Sequence, residues 1–296
     1  MFTAEERRQY IGGSDIASIL GMSRWKTPFT LWLEKTGEIE PHDLSENEAV
    51  QLGTELEEFV AQKFSRVTGL KVRKRTAIYT HKKYPFLAAH VDRLIVGTDE
   101  LLECKTCSSY KAEEWEDVIV KEEIDGKIVE KVIEKVPQEY LLQVIWYLGI
   151  TNKKRAYIAV LIGGQKFKYR KIDFDAELFD SMLKAAVEFW NCVEKKLPPA
   201  FIPSDNELLV QIYPQQEENA EFINDQKQEK LIDRLQKIKS KRAELKEKQD
   251  LIEARLKNII NTHAGIMTEK YKVSWQTGKT STIRTFRVYE NKKKAA

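Results

Sequence analysis

Cysteine is scarce: Cys104, Cys107 and Cys192 are the only three in 296 residues. Three thiols cannot build a full disulfide framework, and this usage fits a reducing, cytoplasmic setting. Long apolar stretches are missing as well. No run approaches the roughly 18 apolar residues of a membrane span, and the opening MFTAEERRQYIGG has no apolar signal core, so no membrane attachment is expected. Nor does either sign of charge prevail. The 49 Lys+Arg against 46 Asp+Glu leave +3, which excludes a histone-like polycation and an acidic disordered tail. A locally basic groove beside acidic metal ligands remains compatible with that balance.

What is present reads as two regions. Residues 1–202 mix helical and strand patterns, and residues 203–296 form a charge-rich appendage with few aromatics; the proline-bearing stretch KKLPPAFIPSD joins them. In the first region Ser14-Asp15 opens a short helix that ends near Gly21, and PFTLWLEKTG makes a second. ENEAVQLGTELEEFVAQKFSRVTG makes a third, with Leu52, Leu56, Phe59, Val60 and Phe64 on one face. LKVRKRTAIYTH, FLAAHVDRLIV and ELLECKTCS read as successive strands. Residues 110–136 are a polar insert built on two β-rich runs around Asp125-Gly126, a hairpin-turn signature. A helix with Pro137 at its first position, the strands RAYIAVLIGG and KFKYRKIDF, and a closing helix from Ala176 follow. The order implies an α/β, α+β-layered core. In the appendage, Leu231, Leu235, Ile238, Leu245, Ile252, Leu256 and Ile259 keep a 4-3 spacing with Arg242 and Gln249 in the same register. That is a coiled-coil or helical-hairpin pattern, or a solvated helix packed on its own domain. YKVSWQT and TIRTFRVYE read as a terminal β-hairpin, and KKKAA as a disordered end.

The most informative stretch is FLAAHVDRLIVGTDELLECKTCS. Glu103 and Lys105 lie two apart on a strand and share a face, while Cys104 points to the other. A tight turn near residues 98–99 makes the numbers of antiparallel partners sum to about 195–197, so Asp92 falls opposite Glu103 or Lys105. Two adjacent carboxylates in an apolar strand pair repel one another and are costly to desolvate. A hard divalent cation offsets both effects, and Mg²⁺ is commonly held by one or two carboxylates plus substrate phosphate. Such an ion polarises a phosphoryl oxygen and lowers the pKa of bound water, and a lysine beside it can orient that water or offset developing charge. The chemistry implied is phosphodiester hydrolysis; the competing reading is a solvated ion-pair ladder.

Other positions stay open on pattern alone. Whether Glu57 or its neighbours Glu55 and Glu58 face the strands is undetermined. Gln143 sits among Leu142, Val144, Ile145 and Trp146, with Tyr140 three residues earlier on its face. A glutamine there is either satisfied within the core or a partner of metal-bound water or a DNA phosphate. Arg7, Arg8 and the glycine pair before Ser14 make either an anion clamp at a helix start or a plain N-cap. His81 and His90 read as structural or exposed.

The blocks IGGSDIASILGMSRWKTPFTLW, LGTELEEFVAQKF, AHVDRLI with LECKT, and QEYLLQVIWYLGI resemble, in order, those of the YqaJ-like viral recombinase nucleases. That family is related to phage lambda exonuclease and belongs to the PD-(D/E)xK nuclease superfamily. The resemblance covers about residues 5–200 and implies a restriction-endonuclease-like core, a central mixed sheet flanked by helices. It implies Asp92 and Glu103 as metal carboxylates, with the Cys104 backbone carbonyl a further ligand. It makes Lys105 the catalytic lysine, Glu57 the helix acid near the metals, and Gln143 with Tyr140 the glutamine and its neighbour on the following helix. Arg7 and Ser14 correspond to the pair that holds a 5′-terminal phosphate, with Arg8 the fallback. Position 91, before the metal aspartate, is Val rather than Pro. The implied activity is Mg²⁺-dependent 5′→3′ digestion of duplex DNA from its ends, with Mn²⁺ substituting, leaving 3′ single strands for an annealing protein. A homo-oligomer, such as a trimeric ring around DNA, is implied too, and the appendage is expected to dock the annealing protein or another subunit. Related nucleases that bind an iron–sulfur cluster use four cysteines, more than this chain has. The alternatives are a structure-specific endonuclease on the same core and a catalytically silent recombination adaptor.

Overall fold

The structure, a computed structural model, describes residues 4–124, 127–218, 220–278 and 282–291. The expected turn residues Asp125 and Gly126 and the terminal KKKAA lie outside the described residues. Two compact units divide the chain, 1–215 and 216–296.

In the first unit the helices are α1 (Ala4–Arg8), α2 (Gly13–Ile19), α3 (Pro28–Thr36), α4 (Glu48–Thr68), α5 (Gln138–Thr151), α6 (Ala176–Glu194) and α7 (Asp205–Ile212). The strands are β1 (Val72–Lys74), β2 (Tyr79–Thr80), β3 (Ala88–Ala89), β4 (Arg93–Ile95), β5 (Glu100–Cys107), β6 (Val118–Ile124), β7 (Lys127–Ile133), β8 (Arg155–Ile162) and β9 (Lys166–Asp173). A mixed five-stranded sheet of order β1-β4-β5-β8-β9 lies at the centre, antiparallel except for the parallel β5–β8 pair. That pair is buried on both faces, which accounts for the nearly unbroken apolar run of β8. On one face Leu101, Ile158 and Val160 pack with α2, α5 and α6; on the other Leu102, Cys104 and Ala159 pack under Val60 and Phe64 of α4. The layered α+β core with a central mixed sheet is therefore the architecture present.

Several expected elements differ in detail. α2 begins at Gly13 with Gly12 as its N-cap, one residue before Ser14. Pro137 is itself the N-cap of α5. On α4, Leu56, Val60 and Phe64 turn inward, but Leu52 and Phe59 are exposed. Phe59 lies a helical step off that stripe, and the start of α4 borders a cavity, not the core. The runs 70–81 and 86–96 each break into two short strands, because β2 and β3 leave the main sheet to pair with each other. α7, beyond the expected join at 202, packs Leu208, Leu209 and Ile212 on the first unit's core. Its Asp205 accepts hydrogen bonds from the Ile202 N–H and, at 2.5 Å, the Thr27 hydroxyl.

The second unit holds α8 (Glu229–Ile260) and the strands β10 (Gly265–Met267), β11 (Tyr271–Thr277) and β12 (Arg284–Glu290). The expected hairpin is β11–β12; β10 adds a third strand by pairing with β11.

Candidate active site

β4 and β5 place the acids. The observed pairs Arg93↔Leu102 and Leu94↔Leu101 set a register that brings Asp92 beside Glu103. Asp92 itself precedes the ladder, so its carboxylate is free to turn, and its Oδ2 accepts the Cys104 N–H at 2.8 Å. Cys104 thus reaches the pair through its backbone, while its side chain is buried under α4 on the opposite face.

Glu103 is 4 % exposed. Its Oε1 pairs with Lys105 Nζ at 2.7 Å and accepts from Gln143 Nε2 at 2.9 Å. Gln143 Oε1 accepts from Lys105 at 3.0 Å, and Gln143 Nε2 donates to Tyr147 Oη at 2.7 Å. The buried glutamine is therefore satisfied and aimed: its carbonyl meets the cation, and its NH₂ meets the carboxylate and the phenol. Tyr140, a turn earlier on α5, places its ring centroid 4.9 Å from Lys105 Nζ.

Charges of one sign crowd here. Burial, then the Glu103 charge beside it, holds the Asp92 carboxyl well above the ordinary carboxylate range. Burial pushes the Lys105 ammonium down, but Glu103 and Asp92 outweigh it, so the amine stays protonated above its usual value. Burial and Glu103 likewise raise the Tyr147 phenol. Glu103 Oε2 is buried with no hydrogen-bond partner, an acceptor left over in a site where such groups are normally satisfied. Two hard oxygen donors, one of them orphaned, fit a divalent cation such as Mg²⁺, which takes one or two carboxylates and keeps its remaining positions for water and phosphate. Among the described residues no group of three or more His, Cys, Asp or Glu side chains gathers as a closed metal cage.

Glu57 is turned elsewhere. Its Oε1 pairs at 2.5 Å with Nη1 of Arg93, a guanidinium 2 % exposed that also donates to the Asp92 carbonyl at 2.8 Å and to Glu58 at 2.9 Å. Glu57 still borders the cavity, and its charge contributes to raising Asp92.

A cavity of ≈ 850 Å³ opens over the cluster, and Arg7, Ser14, Glu57, Asp92, Glu103, Cys104, Lys105 and Gln143 line it. Tyr140 is outside that lining and touches the site through Lys105. Ser14 is exposed at the cavity wall and does not cap α2; Asp15 does, accepting the Gly12 N–H at 3.1 Å. Lys35 fixes this segment by pairing with Asp15 at 2.9 Å and donating to the Arg7 and Tyr10 carbonyls. The glycine pair has a packing reason as well, since a Cβ at Gly13 would come within 2.5 Å of the Tyr147 ring. Arg8 pairs with Glu40 at 2.6 Å. His81 is structural, its Nδ1 accepting the Lys83 and Tyr84 N–H groups, whereas His90 lines the cavity.

Pattern reading missed four residues. Arg93 follows Asp92 directly, and a cation inside an apolar run is the signal for it. Tyr147 lies four residues after Gln143, hence on its helix face. Lys74 and Arg75, from the basic run KVRKR, border the cavity.

The protein-family comparison is decisive for ancestry: a model of the YqaJ-like viral recombinase domain matches residues 4–154. The chain belongs to that family. It is 47% identical over 188 residues to the uncharacterized protein YqaJ of Bacillus subtilis (strain 168), a match covering 63% of this chain and 54% of that one. The chain thus spans about half the length of this curated relative. Similar solved structures include the alkaline exonuclease LHK-Exo from Laribacter hongkongensis, with 17% identity, TM-score 0.48, and 69% of this chain and 93% of that one covered. Another is a phage-related exonuclease from Haemophilus somnus 129PT, with 13% identity, TM-score 0.43, and 63% and 96% covered. Family membership rests on the sequence match, not on these distant superpositions.

The crowding carries a stability prediction. Asp92's folded pKa lies above its unfolded value, so between the two the native state binds more protons and stability falls as pH rises. Asp92→Asn keeps an acceptor for the Cys104 N–H and removes the charge. Without metal at pH 8 its Tm is expected about 2–4 °C above wild type, the shift that about 1 kcal/mol gives in a domain of this size. At pH 3 the gain should vanish. Scanning fluorimetry checks this, and a variant melting lower than wild type at pH 8 would contradict it.

Proposed function

We propose that this YqaJ-family chain is a Mg²⁺-dependent 5′→3′ exonuclease acting on duplex DNA ends and leaving 3′ single strands for an annealing protein. The observation carrying this reading is the Asp92–Glu103–Lys105–Gln143 cluster, with Glu103 Oε2 unpartnered, at the wall of a cavity that also has basic residues along it.

Asp92 and Glu103, with the Cys104 carbonyl, would hold the cation, and Glu57 would join them by releasing Arg93. When bound, the cation would supply Lewis-acid polarisation of the scissile phosphate and acidify a water. Lys105 stays protonated under the charges of Glu103 and Asp92, so its role is that of a donor. It orients the attacking water and offsets charge gathering on the phosphoryl oxygens. Gln143 holds the lysine against Glu103, and Tyr147 fixes the glutamine amide. Arg7 and Ser14 would grip a 5′-terminal phosphate, while Lys74 and Arg75 follow the DNA backbone. Assembly as a ring of three around DNA would supply processivity.

Digestion of linear duplex carrying separate 5′ and 3′ labels tests this. Activity should cease in excess EDTA, return with Mg²⁺ or Mn²⁺, release the 5′ label first and spare closed circles. Digestion persisting in saturating EDTA would remove the metal reading, and cut circles would favour an endonuclease. Equal rates on phosphorylated and unphosphorylated 5′ ends would remove the Arg7–Ser14 clamp.

A further inference from the structure

α8 is 32 residues long, and most of its apolar stripe is uncovered: Leu231, Leu235, Ile238, Leu245, Ile252 and Ile259 are exposed, while Leu256 near its end is half-buried. The 4-3 spacing makes this a coiled-coil seam, and such a seam is stable only against another helix. The two rows beside a seam decide which helix fits, because they meet the partner's own flanking rows.

Six of the nine residues in those rows are cationic, the other three being Ile232, Glu253 and Ile260. Arg234, Lys241, Lys248 and Arg255 run along one side, with Lys239 and Lys246 on the other. The one acid among them, Glu253, is already engaged by Lys257 at 2.9 Å. Glu244, Glu247 and Asp250 point away from the seam, on the opposite face of the helix. Glu244 and Asp250 do pair with Lys248 and Lys246 along the helix, but those pairs are solvent-exposed and easily exchanged.

A second copy is a poor occupant. In a parallel pair Arg234 would face Lys239 of the other copy and Lys241 would face Lys246, against one favourable match of Lys248 with Glu253, and Arg242 would meet its own equivalent inside the seam. In an antiparallel pair the row from Arg234 to Arg255 would face itself, cation against cation. Duplex DNA matches the charge and wastes the apolar stripe. We infer that α8 is the basic half of a heterotypic coiled coil and takes up a partner protein's amphipathic helix whose seam is aliphatic and whose flanking rows are acidic. Electrostatics then selects that partner and opposes self-pairing.

The inference is independent of the nuclease reading and is tested on the full chain without any digestion. The probe is a dye-labelled 32-residue peptide with leucine in both seam rows and glutamate in both flanking rows; the control carries lysine in place of each glutamate. Fluorescence anisotropy should give at least about tenfold tighter binding for the acidic peptide, with the preference shrinking as salt rises. A chain carrying Lys239→Glu, Lys241→Glu, Lys246→Glu and Lys248→Glu should prefer the lysine peptide instead. Circular dichroism confirms that α8 stays helical in that variant, since all four side chains lie at the surface. Equal binding of both peptides, or binding of neither by a helical chain, would overturn the inference. So would a free chain that sediments as an oligomer dispersed by Ile238→Asp with Ile252→Asp, which would make a second copy the occupant. Displacement of the acidic peptide by a short DNA duplex, abolished in the charge-inverted chain, would assign the surface to nucleic acid.

Discussion

Lys105→Ala should lower digestion of linear duplex by about 10²–10³-fold, the usual cost of deleting one preorganised donor to developing charge. The ammonium sits 2.7 Å from Glu103 Oε1 and 3.0 Å from Gln143 Oε1, so its removal unties both. Duplex binding should change little, because Arg7, Lys74 and Arg75 remain along the cavity. Without metal the variant should also melt lower than wild type, because Asp92 and Glu103 lose the positive charge that offsets theirs, and added Mg²⁺ should narrow that gap. Lys105→Arg should recover little activity: a planar guanidinium cannot occupy the point that an ammonium holds between carboxylate and amide. Single-turnover digestion with a parallel binding assay separates the two effects. A Lys105→Ala enzyme within tenfold of wild type would end the assignment of this lysine to the chemistry.

The second large effect belongs to Arg93. Its guanidinium is 2 % exposed and grips Glu57, Glu58 and the Asp92 carbonyl together. Arg93→Ala breaks a buried ion pair and leaves a large void, for which about 3 kcal/mol is expected, a Tm fall of about 6–12 °C. Glu58 is mostly solvated and contributes little to that sum. Arg93→Lys should recover only part of the loss, since an ammonium cannot fork between two acids. Activity should fall further than stability alone explains, because the same guanidinium anchors the backbone of Asp92. Thermal melts with and without Mg²⁺ check this, and a Tm change under about 2 °C would show that α4 is tied to the sheet by something else.

Much of the site follows from short-range rules. Glu103 and Lys105 share a face by strand alternation, and the turn at Gly97 sets the register that brings Asp92 to Glu103. Cys104 points to the other side for the same reason. The α4 caps, Asn47 and Gly69, are likewise legible as helix punctuation. Where the reading slipped, the competing influence was tertiary. The runs 70–81 and 86–96 have continuous strand character, yet each splits because β2 and β3 find one another outside the main sheet. That break is also what lets Asp92 point its carboxylate at the Cys104 N–H. Leu52 and Phe59 fit an amphipathic face by type, but the start of α4 borders the cavity instead of the core.

Alternation, turn position and helix period act over a few residues, so the chain by itself determined the Asp92–Glu103–Lys105 grouping, the layered α+β class and the apolar seam of α8. Only the packed fold decided that Gln143, 38 residues beyond Lys105, would bridge lysine and glutamate, and that Glu57 would be held by Arg93 across 36 residues of chain. Those contacts depend on how α4 and α5 settle on opposite faces of the sheet. Which of several acids on a helix then meets a buried cation is set by side-chain volume and desolvation, and local patterns carry no record of either.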